Sequence, residues 1–166
     1  MRDYRAIACI GKNREIGKQG KLLFHIEKDL KVFFGITKFD IVVMGSKTWE
    51  SLPKKPLPYR VNIVLTRNKK YEAPGATVLH SKKEVDDFID RYFYADDVWI
   101  IGGEQIYRLF LPDCDELVLT QVDAEDGEAD VFFPEYEGRY FQAWQSGEEK
   151  DKKSGLTYRW VDFKRK

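Results

Sequence analysis

The sequence is short of the groups that build metal and redox centres. It holds two cysteines and two histidines in 166 residues. Cys9 and Cys114 form no metal or redox spacing, and Cys9, within "AIACI", reads as a buried small apolar residue. His25 and His80 stand at no ligand spacing from each other or from nearby carboxylates, so no metal site is expected. Net charge is also missing: Lys plus Arg and Asp plus Glu are 28 each. That balance argues against a broad surface for nucleic acid or anionic lipid, while leaving room for a local basic pocket. No apolar run approaches the ~20 residues of a membrane span, and the opening "MRDYRAIACI" is too short in apolar residues for a signal peptide. The setting expected is cytoplasmic and reducing, without membrane or nucleic-acid partners. Gly-x-Ser-x-Gly is absent, and no nucleophile has a recognisable base beside it, which argues against a hydrolase. There is no internal repeat, low-complexity tract or long linker, so residues 1–166 are expected to form one domain with a substantial core.

What is present is a set of short, β-rich apolar runs: "YRAIACI" (4–10), "DIVVM" (40–44), "VNIVLT" (61–66), "DVWII" (97–101) and "ELVLTQV" (116–122). Such runs suit strands covered on both faces. Helical stretches alternate with them at 26–35, just after Gly45, at 81–93 and at 104–110; Ser81 and Glu84 form a capping-box signature for the third. The end differs: "RYFQAWQSGEE" and "LTYRWVDFKRK" alternate polar and apolar residues around "KDKKSG". The pattern predicts an α/β fold, with a mixed, largely parallel central sheet flanked by helices and an antiparallel C-terminal hairpin.

Four features have the character of a small-molecule site. "DIVVM" runs into Gly45-Ser46-Lys47-Thr48, and "DVWII" into Gly102-Gly103 and a helix. Glycine permits close approach of a phosphate to backbone N–H groups at a helix start; the same glycines also suit plain strand-to-helix turns. "MGSKTW" lacks the earlier glycine of a P-loop, and Gly102-Gly103 does not give GxGxxG. Leu65-Thr66-Arg67 ends a strand with a hydroxyl and a guanidinium, suited to a phosphate or simply to an exposed basic loop. Arg60 follows a proline-constrained turn and suits either a carboxylate or solvent. Finally, with Ile26–Phe34 wound at about 100° per residue, Asp29 falls between Val32 and Phe33 in the apolar arc with Ile26, Leu30 and Phe34. It either reaches solvent at a helix edge or stands at the floor of a pocket.

These features occur in one order, and the chain resembles dihydrofolate reductase. The resemblance runs from "AIACIGKNREIG" to "YRWVDFKRK", and is carried by "VVMGSKTWESL" (42–52), "PLPYRVNIVLT" (56–66), "WIIGGEQIYRLFLP" (99–112) and "LTQVDAE" (119–125). It implies NADPH-dependent reduction of 7,8-dihydrofolate, with hydride passing from nicotinamide C4 to pteridine C6 and a proton reaching N5. By resemblance, Asp29 would grip the 2-amino group and N3 of the pterin, supported by the Thr120 hydroxyl. Leu30, Phe33, Leu52 and Leu57 would line the cleft, Ile7 and Ile101 would offer backbone carbonyls, and Arg60 would clamp the glutamate α-carboxylate. Tyr107 would stand near nicotinamide and substrate. Cofactor contacts would come from Ala8, Ile16, Gly17 and Leu22 of a mobile loop spanning 11–25 and its approach. Others would come from Gly45, Ser46, Lys47 and Thr48, from Leu65, Thr66 and Arg67, and from Ile101, Gly102, Gly103, Glu104, Gln105 and Ile106. A cis link at Gly102-Gly103 is a family feature. Antifolates would occupy the same cleft, and the family expectation is a monomer.

The sequence departs from the family pattern at two places. Leu22-Leu23-Phe24 replaces Leu/Met-Pro-Trp, so Phe24 offers no indole donor near the pterin. Ser46 and Gln105 stand where many bacterial relatives carry arginine, leaving Lys47 and Arg67, with Thr66, to select the 2′-phosphate. A reductase-like binder without turnover, or a related reductase of a pyrimidine intermediate of flavin synthesis, are the competing readings; Asp29 with Arg60 favours folate.

Overall fold

The computed structural model describes residues 2–93 and 96–166. In chain order the strands are β1 (Tyr4–Ile10), β2 (Glu15–Lys18), β3 (Lys21–Leu22), β4 (Ile41–Gly45), β5 (Val61–Leu65) and β6 (Thr77–Leu79). They continue as β7 (Val98–Gly102), β8 (Cys114–Val122), β9 (Val131–Phe132), β10 (Tyr140–Gln145), β11 (Glu149–Lys150) and β12 (Thr157–Arg165). The helices are α1 (Glu27–Thr37), α2 (Ser46–Ser51), α3 (Lys82–Tyr92) and α4 (Glu104–Phe110). Among the described residues, none of the helices is long and apolar enough to cross a membrane.

The main sheet runs β10-β12-β8-β1-β7-β4-β5-β6, with β11 paired to β12. From β8 through β6 the neighbours are parallel. β12 returns antiparallel on β8, and β10 on β12, which is the C-terminal hairpin the alternating pattern predicts. The chain steps outward from β4 to β6, then comes back to insert β7 between β1 and β4. The loops leaving β1, β4, β5 and β7 therefore open at one edge, where parallel sheets bind ligands.

The runs are apolar on both faces because the sheet is covered on both. Ile41, Val42, Val43 and Met44 are fully buried. Ala6, Ile10, Leu117, Leu119 and Val161 pack on one side, Ile7, Val42, Met44 and Val118 on the other. Side chains on opposite positions of adjacent strands share a face. Cys9 of β1 lies opposite Thr120 of β8, and Thr120 opposite Trp160 of β12, so these three residues form one row across the sheet.

The third helix begins as its capping signature predicts, with one difference. The Ser81 hydroxyl accepts the Glu84 N–H at 3.1 Å, but the Glu84 carboxylate takes the N–H of His80, one residue earlier than the usual box, at 2.7 Å. Ser81→Ala should lower the unfolding free energy by about 1 kcal/mol, read as a shift in the urea midpoint at unchanged slope.

The loop expected over 11–25 is partly sheet. β2 pairs with β3 and with β9. The reason is the buried pair Glu15 and Ile16. A buried carboxylate needs donors, and Glu15 takes the backbone N–H groups of Asn13 at 2.6 Å and Asp126 at 2.8 Å. That ties this segment to the connection after β8.

Candidate active site

α1 starts after Ile26, an extended residue almost fully buried under β8 and β12. Asp29 lies in the first turn of α1 and faces the sheet. Thr120 Oγ1 donates to Asp29 Oδ1 at 2.5 Å, and Trp160 Nε1 donates to the same oxygen at 2.8 Å. Cys9 lies next to Thr120 across the sheet, and burial, then the nearby Asp29 carboxylate, hold its thiol above the ordinary thiol range. Cys9 is therefore more than the small apolar filler its sequence context suggests. It is half-buried, in the row that carries the two donors to Asp29.

Beside Asp29, the inner face of α1 packs on an apolar cluster. Ile7, Phe33, Leu52, Leu57 and Ile101 belong to one apolar cluster. Leu30 and Phe34, on the same helix face, remain 38% exposed. Apolar residues left open beside a packed cluster mark a binding groove more than a surface at rest. Further along α1, Arg60 is pinned by three contacts. Nε donates to the Pro58 carbonyl at 2.9 Å, Nη1 donates to Thr37 Oγ1 at 2.9 Å, and the guanidinium lies 3.9 Å over the Phe34 ring. Nη2 is buried without a hydrogen-bond partner, and burial pulls the Arg60 pKa down. Asn62, which the sequence pattern did not single out, holds the turn that presents Arg60. Its side chain accepts the Leu57 N–H at 2.9 Å and donates to the Leu57 carbonyl at 2.9 Å and the Arg60 carbonyl at 3.2 Å.

The two glycine junctions meet at the open edge of β4 and β7. The Gly102-Gly103 bond is cis, and Gly102 has φ +120°, a backbone open to glycine alone. A Cβ on Gly102 would touch Tyr107 at 3.3 Å and Thr48 Oγ1 at 3.5 Å; one on Gly45 would press on Ile106 at 3.1 Å. The Tyr107 hydroxyl donates to the Ile7 carbonyl at 2.8 Å, and burial pushes its phenol above the ordinary range. Gly45 pairs with Leu65 across β4 and β5, so Ser46-Lys47 and Thr66-Arg67 leave neighbouring strand ends side by side. Lys47, Arg67 and Gln105 are exposed. The Glu104 side chain is occupied elsewhere, accepting the Phe132 N–H at 2.7 Å and pairing with Arg108 at 3.4 Å. Ile16 and Gly17 sit on β2 and Ala8 on β1, while Leu22 on β3 is 67% exposed. Among the described residues no group of three or more His, Cys, Asp or Glu is placed to hold a metal ion.

A model of the family described as "Dihydrofolate reductase" matches residues 4–165. The chain belongs to the dihydrofolate reductase family. It is 36% identical over 157 residues to the dihydrofolate reductase of Neisseria gonorrhoeae, covering 95% of this chain and 94% of that one. With the dihydrofolate reductase of Bacillus subtilis (strain 168) it shares 35% over 161 residues, 96% and 93% of the two chains. The solved structure of dihydrofolate reductase from Enterococcus faecalis, complexed with NADP(H) and RAB-propyl, superposes with a TM-score of 0.87 at 33% identity. It covers 98% of this chain and 96% of that one.

Sequence reasoning passed over Trp160 as one residue of an alternating strand. The signal that finds it is register. Period two puts Tyr158 and Trp160 on one face of β12, and pairing with β8 brings that face beside Thr120. Phe24 does pack with Trp160 in one cluster, so the site is not without an indole donor; the donor arrives from β12.

Proposed function

We propose that this chain, acting as one monomeric domain in the cytoplasm, reduces 7,8-dihydrofolate to 5,6,7,8-tetrahydrofolate with NADPH and so serves one-carbon metabolism. The observation that carries the reading is the pairing of two polar groups at the two ends of the apolar face of α1. Asp29 stands at one end, accepting two donors on a single oxygen. Arg60 stands at the other, with a buried nitrogen that lacks a partner. A flat heterocycle with adjacent N–H groups complements the first, and an α-carboxylate complements the second.

Asp29 accepts from the 2-amino group and N3 of the pterin and fixes its orientation in the cleft. Leu30, Phe33, Leu52 and Leu57 keep water from the ring, which strengthens that electrostatic contact. Ile7 and Ile101 carbonyls bind the opposite edge, the first of them already holding Tyr107. The proton for N5 comes from water, because the carboxylate grips the far edge of the ring. Antifolates that carry a diamino heterocycle take the same place.

The residues present fit the cofactor. Gly45 and Gly102 line a cradle that a Cβ would fill, and Gly103 with Ser46, Thr48, Gln105 and Ile106 supplies backbone and side-chain groups for the diphosphate. Ala8, Ile16, Gly17 and Leu22 cover the nicotinamide end, beside Tyr107. When bound, NADPH supplies the hydride that pteridine C6 receives. Lys47, Thr66 and Arg67, beyond the ends of β4 and β5, face its 2′-phosphate, with Leu65 buried at the end of β5. Arg67→Ala with Lys47→Ala should lower kcat/KM for NADPH about tenfold or more while leaving that for NADH nearly unchanged. Equal kcat/KM for the two cofactors in the unaltered enzyme removes phosphate selection from these residues.

The deciding experiment is dihydrofolate-dependent oxidation of NADPH followed at 25 °C. Its absence, with NADPH or dihydrofolate still bound, supports a non-catalytic relative; turnover of a pyrimidine riboside intermediate instead moves the assignment to a flavin-synthesis reductase.

A further inference from the structure

We infer that Trp160 is a positioning residue for Asp29, holding its carboxylate in the plane that receives the pterin; this rests on the proposed reading of the cleft. Cys9, Thr120 and Trp160 occupy adjacent positions on β1, β8 and β12. In a pleated sheet such a row points to one face. All three members of the row carry a donor, S–H, O–H and N–H, and Thr120 and Trp160 give theirs to the Asp29 carboxylate. Two of these donors converge on Oδ1, from neighbouring strands. A single donor would leave the carboxylate free to turn about its Cβ–Cγ bond. Two on one oxygen, from rigid strands, remove that freedom.

The indole is itself held. Tyr158 packs edge-on against it at 5.4 Å, and the Lys28 ammonium lies 5.7 Å over the ring. Lys28 precedes Asp29 on α1 and pairs with Glu149 of β11 at 3.0 Å. β11 in turn pairs with β12. The first turn of α1 and the strand bearing Trp160 are thus joined at two places, once through the carboxylate and once through the ring. Phe24 completes the same cluster but has no N–H. An indole that merely filled this space would have no need to aim Nε1 at Asp29.

Trp160→Phe keeps the ring and removes the N–H. With dihydrofolate, kcat/KM should fall about tenfold, while KM for NADPH and the thermal midpoint stay near those of the unaltered enzyme. The variant's effect on dihydrofolate Kd, by calorimetry, should disappear when Asp29 is already alanine. A packing role predicts the same loss in both backgrounds and overturns the inference. A second measurement avoids altering Trp160. Among the indole N–H resonances of the four tryptophans, one should move in Asp29→Ala by more than the others. If none moves, there is no such bond and the inference is overturned. The unaltered enzyme is assayed first. No dihydrofolate turnover overturns the reading of the cleft; turnover that Trp160→Phe leaves unchanged overturns only the role of Trp160.

Discussion

Asp29→Asn is expected to lower kcat/KM for dihydrofolate by about 10²–10³-fold, with most of the loss in kcat. The substitution is nearly isosteric, so the fold should survive it. The amide oxygen can still accept from Thr120 and Trp160, which both donate to Oδ1. The other oxygen becomes an NH₂ group that meets the 2-amino group or N3 donor to donor. Such a mismatch in a dry cleft forfeits both the contact and its orientation, and a buried donor without an acceptor carries its full desolvation cost. Steady-state kinetics across NADPH and dihydrofolate concentrations read the result, with circular dichroism checking the fold. A fall smaller than tenfold removes Asp29 from the chemistry. NADPH binding should be unchanged, because the cofactor junctions lie at β4 and β7 and not at the Asp29 end of β8 and β12.

Arg60→Met should act on KM instead. Its Nη2 is buried and without a partner, and the rest of the guanidinium is already held by Pro58, Thr37 and Phe34. A carboxylate arriving there meets a preorganised, partly desolvated cation, and a hydrogen bond to a charged group contributes about 1.5–3 kcal/mol. KM for dihydrofolate should therefore rise about 10–150-fold, with kcat within a few-fold of the unaltered enzyme. The control is 7,8-dihydropterin, which has no glutamate: its kcat/KM should be the same for both proteins. An equal loss with both substrates would assign Arg60 to the architecture of α1 and not to the tail. Arg60→Lys should resemble Arg60→Met, since an ammonium cannot keep Thr37 and Pro58 and also present a planar edge.

The parts of the fold that were legible in the sequence are those whose environment is uniform. "DIVVM" reads as a strand because β4 is interior and parallel, so every side chain is buried and none needs to be polar. The C-terminal hairpin is legible for the opposite reason: its strands mix polar with apolar residues, and β10 is exposed along most of its length. The strands β6 and β9 were not legible, with three and two residues; they are too short for periodicity, and β9 exists because β2 offers it a partner. α1 shows the limit most clearly. Periodicity places Ile26, Leu30, Phe33 and Phe34 on one side, but does not say what that side meets. The structure buries Ile26 under the sheet and leaves Leu30 and Phe34 partly exposed.

Composition and pattern by themselves determined the class of fold, the absence of a metal-binding spacing, the two glycine junctions and the anomaly of a carboxylate in an apolar arc. They could not determine who meets that carboxylate. Cys9, Thr120 and Trp160 are far apart along the chain, and alternation within a strand says only which residues share a face. Which faces adjoin depends on the register between strands, and a slip by one residue would turn each row to the other side. The parallel pairing of β1 with β8, and the antiparallel return of β12, set that register through long-range contacts. For that reason the tertiary structure alone turned Trp160 from one residue of an edge hairpin into a donor to Asp29.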